Sequence, residues 1–422
     1  MGPVARSHRD HPSNLGPYLR NVRKGAKLSL RDIEKRSGLS NGYLSQLERN
    51  EVDHPSPTVL RKLATGYDLD FPILLYWAGF VEDEQLALTP NQAAALSTIG
   101  DPTDEELEAL RGILEVLRSR RTATSYAAAL PSVELDTTTQ TEITGFARAL
   151  LLEAGGLGCR PTPLEELSAA ANLVQAGEIE LSPTDRAKLT ARFGRLLEKG
   201  WARLLGALDF RTNEVWIKPD LHPKKQRFTL SHEIGHAILP AHRETFAVID
   251  DLESLSPRAR ALFEREANFA AAQLLFQCGE LSEEADSSPI TMKRICEYAD
   301  SFDASIVATA REVAERSRHD VAVGIAHQPR QAMGPTQLFT SPSFEKRFRW
   351  NSGLAPHSML REKLVTADGK ARRVEMSCED AAGNRAIIRV ESIHTGWAAI
   401  VLIARDPGIR RAVRRIADEI PF

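Results

Sequence analysis

Apolar positions in the first 80 residues recur every three or four residues, the spacing of amphipathic helices. Glycine, serine and proline residues interrupt this pattern and divide it into five short segments. The first begins near Leu15, Ser29 caps the second, and Ser40 caps the third. The fourth follows the stretch "PSPT", and the fifth begins near Asp70. We therefore expect a five-helix bundle over residues 13–80.

The pattern changes over residues 81–142. In "DEELEALRGILEVLRSRR" the acidic residues fill the first turn and the arginines the last, which matches the helix dipole and predicts a connecting helix. The following stretch, "TATSYAAALPSVELDTTTQTE" (122–142), is rich in Thr, Ala and Ser and has no periodicity. We predict that it is a linker.

Helical spacing returns over residues 143–317, interrupted by one predicted hairpin in which "LLGALDF" and "VWI" flank "RTNE". Residues 318–422 lack this helical spacing and instead contain five segments with a strand-like pattern: "VAVGIAH", "QLFTS", "RRVEMSCED", "NRAIIRVESI" and "GWAAIVLIA". This pattern predicts a small mixed α/β domain. The expected fold class is multidomain, mainly α and then α+β.

Composition places the chain among ordinary globular proteins. Of its 422 residues, 42% are hydrophobic and 26% charged, and no apolar run approaches the roughly 20 residues needed to cross a bilayer. The start has no apolar segment typical of a secretion signal, and the four cysteines lack CxxC spacing. We expect a cytoplasmic protein without a membrane partner. Residues 13–66 carry ten basic against five acidic side chains, so the N-terminal bundle is basic.

The stretch "FTLSHEIGHAIL" (228–239) contains the principal candidate for chemistry. On a helix, His232 and His236 lie one turn apart on the same face and can bind one metal ion. Glu233 is displaced around the helix from the two histidines. It can therefore act as the general base of a metallopeptidase without being a ligand. The alternative is a helix with two surface histidines, and the pentapeptide alone leaves both interpretations open.

A third ligand would separate these interpretations, and "LFEREANFAAAQLLF" (262–276) offers one. Glu264 and Asn268 share a face of this second predicted helix. Glu264 can complete a two-histidine, one-carboxylate site, and Asn268 can hydrogen-bond a ligand histidine. Zinc is the expected ion, while manganese and iron also occupy such sites.

These two motifs resemble those of the ImmA/IrrE family of metallopeptidases. "QRFTLSHEIGH" is similar to the family's "RFTLAHELGH", and "EREANFAAAQLL" to its "ExxANxFAAxLL". The resemblance implies a zincin-like metallopeptidase domain over residues 143–317, with His232, His236 and Glu264 as ligands and Glu233 as catalytic base. Glu266 is the second choice for the third ligand. The chain has "LLFQC" where the family usually has "LLMP".

The third predicted helix of the N-terminal bundle has the position of a DNA recognition helix, after a glycine-containing turn. Candidate contacts to bases or phosphates are Arg31, Ser40, Asn41, Tyr43, Ser45, Gln46 and Arg49. The alternative is the solvated polar face of any small helical bundle. The segment "YLSQLERN" and the later "PSPTVLRKLA" resemble the Xre family of Cro- and repressor-like domains. That resemblance implies double-stranded operator DNA as partner and a homodimer.

Weaker candidates lie outside these motifs. His222 and His242 flank the predicted helix that carries His232 and His236. They are candidates to contact a substrate or stabilise an oxyanion, and the alternative, which is the commoner case, is that they are exposed loop histidines. The strand-rich C-terminal region resembles small sensory domains of the GAF type, by analogy of fold alone.

The sequence thus predicts a DNA-binding transcriptional regulator with a zinc-dependent metallopeptidase domain. The resemblance suggests that its substrate is a repressor-type protein or the chain itself. One alternative is a metal- or ligand-responsive regulator whose peptidase-like domain is not catalytic, and another is the antitoxin of a toxin-antitoxin pair.

Overall fold

The computed structural model describes residues 15–52, 54–80, 135–176, 205–210, 212–246, 256–327, 336–348, 372–395 and 398–405. The chain divides into two compact units. The first comprises residues 1–157 and 164–274, and the second comprises residues 158–163 and 275–422. The predicted connecting helix within 81–134 lies outside the described residues. No helix among the described residues is long and apolar enough to cross a membrane.

Short capped helices form the N-terminal part of the first unit. They are α1 (Leu15–Gly25), α2 (Leu30–Ser37), α3 (Asn41–Glu48), α4 (Pro57–Tyr67) and α5 (Phe71–Trp77). Ser29 caps α2 through a capping box with Asp32, and Ser40 caps α3 by accepting the backbone N–H of Tyr43. The predicted caps are therefore confirmed. Gly38 ends α2 in the left-handed conformation with φ of 68°, which glycine adopts at little cost.

A long helix, α6 (Thr137–Glu153), follows the bundle, so the linker prediction is wrong for residues 137–142. Asp136 caps α6 by accepting the backbone N–H of Thr139 at 2.9 Å. Ile143 and Ala147 are fully buried on one face of the helix. Tertiary burial and a good cap therefore outweigh the low helix propensity of the threonine-rich start.

A small three-stranded sheet precedes the helix that carries His232 and His236. After α7 (Leu164–Ala170), strands β1 (Val174–Gln175), β2 (Gly206–Asp209) and β3 (Glu214–Ile217) pair in the order β1-β3-β2. Strands β2 and β3 are antiparallel, as the predicted hairpin requires. Strand β1 pairs parallel with β3 and was not predicted, because two residues are too few to show an alternating pattern.

Among its described residues, the first unit has three further helices: α8 (Pro223–Ile238), α9 (Pro240–Phe246) and α10 (Pro257–Leu275). Their apolar side chains and those of α1 to α5 form one continuous core. Phe80 packs edge-on against Phe263 with ring centroids 6.5 Å apart, and its carbonyl accepts the N–H of Ser256 at 2.8 Å. The N-terminal bundle and the helices that carry the histidines therefore pack as one body.

The second unit combines helices with an antiparallel sheet. A 3₁₀ turn (Gln277–Gly279) precedes α11 (Glu280–Asp286), α12 (Met292–Ser301) and α13 (Ile306–Arg316). The strands are β4 (Val321–His327), β5 (Thr336–Thr340), β6 (Arg372–Glu379), β7 (Arg385–His394) and β8 (Ala398–Arg405), with α14 (Pro342–Phe348) after β5.

The strand order is β5-β4-β8-β7-β6, with every pairing antiparallel. The five predicted strand segments all form strands, because continuous apolar or alternating runs bounded by turns are a strong local signal. Helix α14 was not predicted, since it is only seven residues long.

Candidate metal centre and DNA-binding face

Helix α8 presents both histidines of its motif toward the protein interior. His222 caps the helix by accepting the backbone N–H of Lys224, and Pro223 occupies the first turn. His232 and His236 follow one turn apart, with relative exposures of only 3% and 5%. The alternative of two surface histidines is therefore excluded by their burial.

The two histidines and Glu264 of α10 converge on one point. Their candidate ligand atoms all lie within 4.8 Å of one another. The two Nε2 atoms are 3.2 Å apart, His232 Nε2 lies 3.4 Å from Glu264 Oε2, and His236 Nε2 lies 3.9 Å from Glu264 Oε1. Zinc–nitrogen bonds of about 2.0–2.1 Å at tetrahedral angles separate two ligand nitrogens by about 3.3 Å, so the spacing fits one ion.

The hydrogen bonding of Glu264 also fits a metal ion. Its Oε1 atom is buried and has no hydrogen-bond partner in the part of the chain that the structure describes. An unsatisfied buried carboxylate oxygen is costly, and a cation between it and the imidazoles removes that cost. The residues present therefore fit a divalent metal with two imidazole ligands and one carboxylate ligand.

Asn268 lies one turn beyond Glu264 on α10 and contacts the first histidine. His232 Nδ1 is 3.1 Å from Asn268 Oδ1. Since an amide oxygen only accepts, the imidazole donates its Nδ1–H there and keeps the Nε2 lone pair for the cluster. This is the geometry that a metal-ligating histidine needs.

His242 and Glu266 lie beside the cluster rather than in it. His242, on α9, is fully buried, with its Nδ1 2.9 Å from His236 Nδ1 and its Nε2 2.9 Å from Glu266 Oε2. The expectation of an exposed loop histidine is therefore wrong for His242, while His222 is exposed. Glu266, the second choice for third ligand, faces His242. The signal that sequence reasoning lacked was the contact between α9 and α10, which only folding creates.

The side chain of Glu233 is buried, with 6% relative exposure. Burial raises the pKa of its carboxyl to about 7, although a positive charge on His232 would act in the opposite direction. Gly206 of β2 lies against it: a Cβ there would be 2.9 Å from Glu233 Oε1 and 2.6 Å from Thr229 Cγ2. The hairpin thus needs glycine at the point where it approaches the proposed base.

The two histidines differ in their electrostatic surroundings. Burial lowers the pKa of His236 well below its usual value, and the neighbouring His232 and His242 lower it further. Burial also acts to lower the pKa of His232, but Glu264, Glu233 and Asn268 together outweigh it and the pKa is raised. A neutral imidazole is the form that binds metal, so His236 is ready to act as a ligand.

Most of the predicted DNA-contacting side chains lie on the accessible side of α2 and α3. Arg31, Ser40, Gln46 and Arg49 are exposed, and Asn41 and Ser45 are half-buried. The Arg49 guanidinium bonds Glu51 through Nε at 2.6 Å and Nη2 at 2.9 Å, and Ser45 Oγ through Nη1 at 3.0 Å. For Arg49 to contact a phosphate or a guanine, its hydrogen bonds to Glu51 must therefore break.

Tyr43 is the exception among these residues. Its hydroxyl is buried without a hydrogen-bond partner in the described residues, and its ring packs against the shared core. Burial, with the nearby negative Asp136, raises the pKa of this phenol. The structure therefore does not favour a base contact by Tyr43, and we leave it out of the proposed interface.

A buried ion pair that the sequence did not reveal fixes the orientation of α3. Glu48, at the end of α3, accepts from Arg23 Nε and Nη2, both at 2.6 Å, and from the Tyr67 hydroxyl at 2.9 Å. Arg23 belongs to α1 and Tyr67 to α4. This bidentate pair joins three helices around the proposed recognition helix.

Two protein families match the parts of this chain that contain the candidate DNA-binding face and the candidate metal centre. The Helix-turn-helix family matches residues 19–74, and the IrrE N-terminal-like domain matches residues 196–313. The radiation response metalloprotease IrrE of Deinococcus radiodurans is 29% identical over 154 residues, covering 36% of this chain and 46% of that protein.

Two regulators match the N-terminal part. An HTH-type transcriptional regulator of Mycobacterium tuberculosis is 37% identical over 70 residues, 17% of this chain and 49% of that protein. The HTH-type transcriptional repressor RghR of Bacillus subtilis is 30% identical over 77 residues, 18% of this chain and 57% of that protein. The chain spans about half the length of these relatives. It therefore carries an N-terminal helix-turn-helix domain of the Xre type and a central IrrE-like metallopeptidase domain.

Proposed function

We propose that the chain is a DNA-binding regulator whose central domain hydrolyses a peptide bond in a repressor-type protein or in the chain itself. The single observation that carries this proposal is the convergence of His232 Nε2, His236 Nε2 and Glu264 beside the buried Glu233. The similarity to a metalloprotease, IrrE, supports it. Zinc is the proposed ion, because two imidazoles and one carboxylate form a common catalytic zinc set.

The chemistry divides between the ion and the protein. A bound divalent ion supplies a Lewis acid that polarises a carbonyl and increases the acidity of water. Glu233 accepts the proton of the attacking water and returns it to the leaving amine. His232, His236 and Glu264 hold the ion, and Asn268 keeps the His232 ring in its ligating orientation.

Replacement of the base tests this mechanism. Glu233→Gln has nearly the same size and is not a ligand, so the variant is expected to retain metal and to lose cleavage. Metal content by mass spectrometry and fragment release from candidate repressors, or from the chain itself, are the measurements. Glu264→Gln is the matched control and is expected to lose metal as well. Cleavage by metal-loaded Glu233→Gln would overturn the mechanism.

A second candidate function is a metal-responsive regulator that cuts nothing. The closed surroundings of Glu233, with 6% relative exposure, and the core shared by the metal helices and the DNA-binding bundle favour it. Operator affinity measured with and without chelator separates the two functions. A metal-dependent affinity with no cleavage product supports the regulator, and a cleavage product supports the peptidase.

The proposed DNA interface comprises the exposed and half-buried side chains at the start of α2 and on α3, namely Arg31, Ser40, Asn41, Ser45, Gln46 and Arg49. Gln46→Ala is expected to lower operator affinity by about 1–3 kcal/mol and to relax preference at one base pair. Arg31→Ala is expected to weaken binding to all sequences and to flatten its salt dependence. Fluorescence anisotropy over a salt series measures both effects. Unchanged affinity in both variants would remove this face as the interface.

The remaining assignments are extensions of this proposal. The protein acts in the cytoplasm, binds double-stranded operator DNA as a homodimer, and uses the β4–β8 sheet with its helices as a sensory domain of the GAF type. Support for the sensory role is the mixed helix and antiparallel sheet composition of the second unit.

A further inference from the structure

A chain of buried hydrogen bonds connects metal ligand His236 to the DNA-binding bundle. It begins with the contacts from His236 to His242 and from His242 to Glu266, each 2.9 Å long. Glu266 then accepts twice from Thr58: the backbone N–H reaches Oε1 at 3.2 Å, and the hydroxyl reaches Oε2 at 3.0 Å. His242 and Glu266 have zero exposure and Thr58 has 5%, so bulk water does not compete for these bonds.

The direction of these bonds follows from the carboxylate. Both oxygens of Glu266 accept from Thr58, and His242 Nε2 is the donor that faces Oε2. The Nδ1 atom of His242 then accepts from the Nδ1–H of His236. This leaves the Nε2 lone pair of His236 facing Glu264 and His232, which is the orientation that a metal ligand requires.

Thr58 in turn fixes Glu266. It lies in the first turn of α4, where Ser56 caps the helix and Pro57 precedes it. The first N–H groups of a helix have no partner within the helix and carry a partial positive charge. The Glu266 carboxylate receives one of these groups together with the Thr58 hydroxyl. The start of α4 therefore determines where this buried carboxylate lies.

We propose that His242 and Glu266 are positioning residues through which α4 of the DNA-binding bundle holds metal ligand His236. Metal binding at the cluster and the anchoring of α4 are then coupled, and the coupling acts equally in both directions. This inference rests on the metal-dependent function proposed above.

Other contacts of α4 do not explain the same coupling. Arg61 pairs with Glu244 of α9 at 2.7 Å, and Lys62 pairs with Glu142 of α6 at 2.6 Å. The side chains of the first pair are 40% and 43% exposed, so solvent and salt weaken their attraction. Among the described residues, neither pair forms a hydrogen bond or ion pair with a residue that bonds the cluster, whereas Glu266 bonds the histidine that contacts His236.

The first test is the metal affinity of full-length variants, measured by zinc competition with a chromogenic chelator. Thr58→Val keeps the shape of the side chain and removes the hydroxyl, and we expect a loss on the order of threefold. His242→Phe removes the direct contact with His236, and we expect this variant to lose about tenfold or more of its zinc affinity. Thr58→Ser restores the hydroxyl and is expected to restore the affinity.

Thr65→Val is the matched control on the same helix. Thr65 is exposed, and within the described part of the chain its hydroxyl bonds the Arg61 carbonyl of α4 itself and no other group. We expect its zinc affinity to equal that of the unsubstituted chain. Equal losses in Thr58→Val and Thr65→Val would mean that any change in α4 has this effect, and would overturn the proposal.

A second test needs no substitution. Zinc loading of the unsubstituted chain is expected to slow hydrogen exchange at the amides of Thr58 and Val59, and His242→Phe is expected to abolish this slowing while still binding some zinc. Exchange that is the same with and without zinc overturns the coupling but leaves the metal site intact. Failure of the unsubstituted chain to bind any divalent ion would instead overturn the proposed function.

Discussion

Because Gly235 has no side chain, helices α8 and α10 can pack closely at this position. A Cβ at this position would lie 2.8 Å from the Ala267 carbonyl oxygen and 3.1 Å from the Ala270 Cβ. Helices α8 and α10 therefore approach more closely than any other residue at 235 allows. Because α8 carries two of the proposed ligands and α10 the third, this approach is what brings Glu264 to the histidines.

Gly235→Ala is therefore expected to destabilise the first unit by about 1–3 kcal/mol, since one helix must shift, and to weaken zinc binding. Gly145→Ala is the matched control. Gly145 is an exposed residue of α6 where a Cβ meets nothing within 4 Å, and the substitution is expected to stabilise the protein by up to about 1 kcal/mol. Denaturant unfolding and zinc competition measure both effects. If Gly235→Ala changed neither the free energy of unfolding nor the zinc affinity, α8 and α10 would have space for a methyl group between them.

Sequence reasoning at this scale succeeded where the chemistry is local. The i, i+4 spacing identified His232 and His236, and the second motif identified Glu264 as a partner, because helical periodicity converts sequence spacing into shared faces. It did not anticipate the burial of His242 or of the Tyr43 hydroxyl. His242 is buried against α10 and Tyr43 packs into a shared core, and neither environment is visible in the neighbouring residues.

At the scale of elements, α3 depends on charge as well as on its apolar face. Leu44 and Leu47 bury one side of the helix, and Glu48 joins it to Arg23 and Tyr67. The side chains of Arg23 and Glu48 are 13% and 5% exposed, so loss of one partner leaves the other poorly solvated. The orientation of the proposed recognition helix thus rests on a buried pair.

Glu48→Gln is expected to lower the free energy of unfolding by about 1.5–3 kcal/mol, since it weakens charged hydrogen bonds to Arg23. Glu51→Gln is the control, because the Arg49 and Glu51 side chains are about half exposed and solvent weakens their attraction, so the substitution should change stability by less than Glu48→Gln does. Thermal unfolding of the two variants provides the comparison. Equal effects would indicate that the buried pair contributes no more than the surface pair.

Across the whole first unit, the DNA-binding bundle and the metal helices share one core. Residues of both parts, such as Leu63 of α4 and Phe263 of α10, belong to the same buried cluster. A continuous core of this kind normally unfolds cooperatively. Ligand binding at the metal site should then stabilise the bundle as well.

Free zinc at a hundred times its dissociation constant is expected to raise the unfolding free energy of the first unit by about 2.7 kcal/mol. The most protected amides of α2 and α4 should gain the same protection as those of α8. Native-state hydrogen exchange with and without zinc measures this, and Glu264→Gln, which lacks a ligand, should show no gain. Protection that rises in α8 alone would show that the bundle unfolds independently.

The sequence by itself determined the caps of α2 and α3, the hairpin before α8, the strands of the second unit and the grouping of His232, His236 and Glu264 that we propose to bind metal. Each of these depends on neighbouring residues or on spacing along one element, which a single sequence contains. Tertiary structure alone decided that Thr58 meets Glu266, that His242 joins it to His236, and that α4 packs on α9. Such contacts join residues up to 208 positions apart, and only burial in a common core makes them close.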